Sequence, residues 1–195
     1  LSRRGKDKDD LKRVMLPLLG LGVSASRWEE DLLPARMEQY QSFWLDELLQ
    51  SVDFEWTGCG REQLAFSFSD DAELFFPAAA DSSQVDDDET SAANFFPDVL
   101  GRYSFWDLRD RSNLTTAELS DFLWRQVWAG RVRCDSFDVV RKGALRGFKS
   151  AETEGPKDPR LRRRSAGLSQ WRASRPISGN WSLVPNVTRV DLLEE

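Results

Sequence analysis

Thr115–Cys134, TTAELSDFLWRQVWAGRVRC, holds a helix, its stop signal and the strand that follows. Thr115 precedes Glu118 by three residues, the spacing of a capping box, in which a hydroxyl and a carboxylate satisfy two orphan amides reciprocally. Leu119, Phe122, Leu123, Gln126 and Val127 then recur at helical period and mark an inner face. The pattern predicts a helix running to Ala129 and stopped by Gly130, which accepts the left-handed backbone of a helix end. Val132 and Cys134 alternate with Arg131 and Arg133 as a strand. The natural hairpin partner of Arg131–Asp135 is Asn180–Val184 (NWSLV), which arrives only after a long basic stretch.

Working outward, Phe95–Leu100 and Ser104–Arg111 read as two shorter helices ahead of that one. The same order occurs earlier in the chain. Asp10–Leu19 carries helix-period apolar residues, with Pro17 placed to bend or end it, and Gly20 and Gly22 close it. Ser26 and Glu29 repeat the capping-box spacing. They open a short helix to Leu33 that Pro34 should stop, because the residue before a proline avoids the α region. Glu38–Ser51 reads as a longer helix with Phe43, Leu45, Leu48 and Leu49 near one stripe. Phe54–Trp56 and Leu64–Phe68 alternate as strands around a Gly58-Cys59-Gly60 turn. Three helices followed by two strands is the winged-helix plan.

The expected fold class is therefore α/β (α+β): tandem winged-helix modules, mostly helical, with small antiparallel wing hairpins. Residues 1–77 form one module, 78–92 an acidic linker and 93–186 a second module with a basic insertion at 141–178. Residues 187–195 start a following module. Without an initiator methionine, and with a helix-like ending at Val190–Glu195, the expectation is an internal piece of a longer protein. The charged opening Leu1–Asp10 lacks the apolar stretch of a signal peptide.

The chain contains no histidine and two cysteines, Cys59 and Cys134. Serine–histidine and cysteine–histidine nucleophile systems, imidazole proton shuttles and histidine-bearing metal sites are excluded. Two distant cysteines give no disulfide framework, which points to the reducing cytoplasm. No apolar run approaches the ~20 residues that span a bilayer, so no membrane partner is expected. Charge is segregated: residues 141–175 hold eleven Lys or Arg against three acids, a net of +8, while the other 160 residues carry −14. Such asymmetry suggests a local polyanion contact on an acidic body.

Several stretches carry a resemblance, in order, from Trp28 to Pro185. Trp28-Glu29, Leu32-Leu33-Pro34-Ala35-Arg36, Tyr40, Leu45-Asp46-Glu47-Leu48 and Glu55-Trp56-Thr57-Gly58 come first. Leu123-Trp124, Val127-Trp128-Ala129-Gly130-Arg131-Val132 and Gly179-Asn180-Trp181-Ser182-Leu183-Val184-Pro185 follow. Together they resemble the region beyond the motor of bacterial Lhr (large helicase-related) DNA helicases. The resemblance implies a superfamily 2 ATPase that translocates on single-stranded DNA and acts in DNA repair. Its C-terminal part would be tandem winged helices and a β-barrel, arranged as in AlkZ-type DNA glycosylases. The chain departs from the family at Asn180, where Lhr proteins usually have arginine. It has no phosphate-binding loop and no DEAH-like box, so ATP and Mg²⁺ belong to the parent motor and this chain carries no cofactor of its own.

Function follows as scaffold and nucleic-acid contact surface for that motor, with DNA and the other modules of the same chain as partners. Two further readings stand beside it: part of the DNA cradle of an AlkZ-like glycosylase region, or a pure oligomerisation module. The third helices of both modules are poor phosphate readers. Glu38–Ser51 holds Glu38, Asp46 and Glu47 and no base, and Thr115–Ala129 has only Arg125 against Glu118 and Asp121, so both should pack against neighbouring modules. Trp44, Trp56, Trp106, Trp124, Trp128 and Trp181 have core-like spacing, whereas Trp171 stands beside Arg172 outside any periodic element. The expected nucleic-acid contacts are accordingly Arg160, Arg162, Arg163, Arg164, Trp171, Arg172 and Arg175, since arginine forks match phosphate geometry and an exposed tryptophan can stack on a base. No catalytic and no metal-binding residue is expected.

Overall fold

The computed structural model describes residues 4–51, 54–72, 95–148 and 178–184. Asp7 opens the first module: its carboxylate accepts the Asp10 amide at 3.1 Å and caps α1 (Lys8–Met15). Leu11, Val14 and Met15 bury the inner face of α1. Pro17 ends the α-helix as expected, the chain tightens into a 3-10 turn at Leu16–Leu18, and Gly20 follows at φ 71°. After β1 (Val23–Ser24) the expected capping box at Ser26 does not form. The helix starts without a side-chain cap, and Glu29 instead receives the Tyr40 hydroxyl at 2.6 Å. Nor does Pro34 stop it. Trp28–Leu32 is a π-helical turn in which the Leu33 amide reaches back to the Trp28 carbonyl, and α2 (Leu33–Arg36) continues through the proline. The widened turn accommodates a residue that has no amide to donate.

The third helix is shorter than expected. Met37 bridges Gly5, with Glu38 donating to the Gly5 carbonyl at 2.7 Å, which holds this stretch extended and delays α3 to Ser42–Gln50. Strands β2 (Phe54–Gly60) and β3 (Gln63–Phe68) form the wing. Its turn is Arg61-Glu62, not Gly58-Cys59-Gly60; those three residues lie in β2, where the register shifts between Gly58 and Gly60. The sheet runs β1-β3-β2.

The second module repeats this plan. Of the expected helix Phe95–Leu100, Phe95 is helical and residues 97–100 are bends and turns. β4 (Tyr103–Ser104) leads into α4 (Phe105–Arg111), and α5 (Thr116–Trp128) follows; both helices begin with complete capping boxes, Ser104 with Asp107 and Thr115 with Glu118. Hydrogen bonds from Ser104 hold the Asp107 carboxyl below the usual carboxylate range, and those from Thr115 do the same for Glu118. β5 (Val132–Cys134) pairs with β6 (Asn180–Leu183) in the expected hairpin, Val132 opposite Leu183 and Cys134 opposite Trp181. β4 adds to the other edge of β6, giving the order β4-β6-β5, the counterpart of β1-β3-β2.

The stretch expected to leave the fold at Arg141 begins as structure. Asp138–Ala144 form helix α6, with Val139 and Val140 buried. A Schellman motif closes it: Gly147, at φ 61°, donates to the Ala144 carbonyl and Phe148 to the Gly143 carbonyl at 2.8 Å. The acidic linker at 78–92 lies outside the described residues. One apolar cluster runs under both modules, from Leu11, Trp28 and Phe66 to Phe137, Val127 and Trp181. Cys134 is buried in it, its thiol pushed up to about 12 by desolvation, while Cys59 is exposed; both are free thiols.

Candidate nucleic-acid interface

Besides the shared apolar cluster, in which Phe137 packs on Trp56 and Phe66, three further contacts join the two modules among the described residues. Gly58 of β2 lies against the end of α5: a Cβ there would lie 2.6 Å from the Val127 carbonyl carbon and nearer still to its oxygen. Arg133 of β5 pairs with Glu55 of β2. Arg141 of α6 reaches back to the first module, giving Nε to Glu29 at 2.6 Å, Nη1 to Asp46 at 2.8 Å and Nη2 to the Ser42 carbonyl at 3.0 Å. Burial alone would lower the Arg141 pKa. The hydrogen bonds and charges of Glu29 and Asp46 outweigh it and raise the value, so the guanidinium is held charged. Desolvation and the Glu29 hydrogen bond likewise push the Tyr40 phenol upward.

Where the first wing meets the second module a cleft of about 220 Å³ opens. Arg61 and Glu62 supply it from the hairpin tip, Asp121, Trp124, Arg125 and Trp128 from α5, and Gly147 and Phe148 from the turn after α6. Trp124 and Trp128, one helical turn apart, stack with centroids 5.2 Å apart and planes 17° from parallel. Phe148 meets both edge-on at 4.9 Å. Gly143 makes this possible, since a Cβ on it would lie 2.6 Å from the Phe148 ring and 2.8 Å from that of Trp124. Trp124 is buried, Trp128 and Phe148 are half-buried, and Arg61 and Arg125 are exposed. The chemistry offered is an aromatic wall with two guanidinium groups, Arg61 and Arg125, and two carboxylates, Glu62 and Asp121, in the same lining.

The winged-helix domain of the large helicase-related protein family matches residues 2–76. Over 191 residues the chain is 34% identical to a protein of Mycolicibacterium smegmatis named Lhr helicase/probable uracil glycosylase, a match covering 91% of this chain. It is 29% identical over 197 residues to the Escherichia coli protein named Lhr helicase/uracil glycosylase, covering 90% of this chain. The chain belongs to the Lhr family. It spans 12% of the length of each of these two relatives.

Within this Lhr segment, residues that carry the family resemblance serve the junction: Glu29, Tyr40 and Asp46 in the Arg141 cluster, Gly58 against Val127, and Trp28, Trp56 and Trp181 in the core. Asn180, the departure from the family pattern, has a structural task. Its amide nitrogen and side chain both donate to Asp135, at 2.7 and 2.9 Å, which fastens the start of β6. The expected contact residues Arg160, Arg162, Arg163, Arg164, Trp171, Arg172 and Arg175 lie outside the described residues. Two members of the basic run are engaged within the protein: Arg141 as above, and Lys142 with Asp138 and, at 2.9 Å, with the Ser178 hydroxyl. Helix α5 packs inward as expected, burying Leu119, Phe122, Leu123, Trp124, Gln126 and Val127. Of the six tryptophans expected in the core, Trp56, Trp124 and Trp181 are buried, whereas Trp44, Trp106 and Trp128 are half-buried against it, and Trp128 lines the cleft. Among the described residues no group of three or more His, Cys, Asp or Glu is placed to hold a metal ion, and no helix is long and apolar enough to cross a membrane.

Proposed function

We propose that this chain is a winged-helix scaffold and nucleic-acid contact surface serving the ATP-driven motor of an Lhr-type DNA helicase in cytoplasmic DNA repair. In this reading ATP and Mg²⁺ are bound by the motor, and the purified chain hydrolyses no ATP even with DNA present. The observation that supports it is the interlock of the two modules. The third helices, which in free winged helices are available to a DNA groove, are here engaged at the junction, α3 through Ser42 and Asp46 and α5 through Val127, and their exposed positions include the acids Glu47, Glu118 and Asp121. Contact with nucleic acid is left to the wing tip, the cleft and the basic stretch. The names of the two relatives favour a second reading, in which the same surface forms part of the DNA cradle of a glycosylase region.

Replacing Arg160, Arg162, Arg163 and Arg164 together by Gln tests the contact. Anisotropy titrations on single- and double-stranded oligonucleotides should show weaker binding with unchanged sequence preference, because phosphates carry no base information. The slope of log K against log salt should flatten by roughly 0.9 per lost contact on duplex and about 0.7 on single strands. Wild-type affinity in this variant at low salt contradicts the assignment.

A further inference from the structure

Glu62, at φ 56°, and Phe148, at φ 53°, are the non-glycine residues of the described chain with a left-handed backbone, and both line the cleft between the first wing and α5. They come from different modules, 86 positions apart. Strain of this kind concentrates where a structure holds a ligand-facing surface in place. In the same cleft Trp128 and Phe148 keep part of their rings accessible, although large aromatic side chains are ordinarily buried when a core is at hand.

We infer that this cleft seats one unpaired base of a single-stranded nucleic acid, stacked on the Trp128–Phe148 wall with its flanking phosphates facing Arg61 and Arg125. The inference rests on the reading of the chain as a nucleic-acid contact surface and adds a site of defined chemistry to it. Size supports a single flat ring system: about 220 Å³ is less than the roughly 300–1,000 Å³ of sites for larger ligands. A duplex keeps its bases stacked inside and offers none to such a wall, whereas single strands are held by aromatic stacking combined with positive charge along the backbone. Arg61 and Arg125 are the groups in the lining that would face the phosphates of a strand. The sequence that continues beyond Phe148, from Lys149 to Arg175, is itself strongly basic. Asp121 and Glu62 add carboxylates at the rim, which suit the exocyclic amines of a base edge better than a second phosphate.

The test uses the whole chain and a short oligonucleotide with a central 2-aminopurine, whose fluorescence is quenched on stacking. Wild type should quench it in the single strand and not in the duplex. Trp128→Ala should abolish the quench and weaken single-strand affinity roughly 5- to 150-fold, the equivalent of one lost stacking contact. Duplex affinity and the single-strand salt slope should stay the same. Arg61→Gln with Arg125→Gln changes only exposed side chains, so it tests the cleft even if Trp128→Ala disturbs packing. This variant should flatten the single-strand salt slope by about 1.4, at roughly 0.7 per contact. Single-strand binding that depends on the four arginines of residues 160–164 but shows no 2-aminopurine quench overturns the cleft assignment alone. Absence of any oligonucleotide binding overturns both readings. Unchanged single-strand affinity and slope in both folded cleft variants also contradicts the base-seating site.

Discussion

At Gly58 the backbone of the first wing touches the backbone of α5 in the second module, and only a residue without a side chain permits it. The atoms that a Cβ would strike belong to the Val127 peptide, so no rotamer change relieves the clash. Gly58→Ala is therefore expected to lower stability by about 3 kcal/mol, the upper range for overpacking. Gly147→Ala provides the comparison. Nothing lies within 4 Å of its Cβ, but φ is 61°, so only the left-handed penalty of about 1–2 kcal/mol applies. Urea unfolding midpoints of the two variants check both values; a Gly58→Ala protein as stable as wild type would show that the modules do not meet there. In the sequence Gly58 reads as a turn glycine, because its true constraint comes from a residue some seventy positions away. Glycine's tolerance was visible, and its cause was not.

Helix α5 was legible from end to end, with its capping box, inner face and Gly130 stop, because each of these signals is local. The short helices were less so. The Ser26–Glu29 box fails since Glu29 has a stronger partner in Arg141, and a local motif cannot reveal a competitor 112 residues on. Helix α6 was hidden by its charge: Arg141, Lys142 and Arg146 read as the start of a basic excursion, although Val139 and Val140 are core residues. The Arg141 cluster is the element-scale joint between α6 and the first module. Its side chain is 22% exposed, with Glu29 at 17% and Asp46 at 35%, so solvent screens it in part. Arg141→Ala should cost about 2 kcal/mol, below the ~3–5 kcal/mol of a fully buried pair broken on one side. A double-mutant cycle with Glu29→Gln should return a coupling energy of about 1 kcal/mol, within the range for residues in contact. Additive effects of the two changes would mean that the cluster does not join the modules.

For the whole molecule, the winged-helix plan and its duplication follow from the order of helices and strands, and the β5–β6 pairing survives a long intervening stretch. The cleft could not be read ahead, because it is assembled from a hairpin tip, a helix face and a helix end that the chain brings together only when the modules interlock. Trp128 shows the limit most clearly. Its spacing from Trp124 marks a helix face but does not say whether a neighbour covers it. Of the expected contact residues from Arg160 to Arg175, the arginines stand out by charge and Trp171 by its place outside any periodic element; all lie outside the described residues, and their test is functional. Everything proposed for the chain depends on the two modules forming one body with their third helices engaged at the junction. Scanning calorimetry of the intact chain tests this directly. A shared core predicts one transition whose van't Hoff and calorimetric enthalpies agree. Two separate transitions, with the first module melting independently of the second, would contradict it.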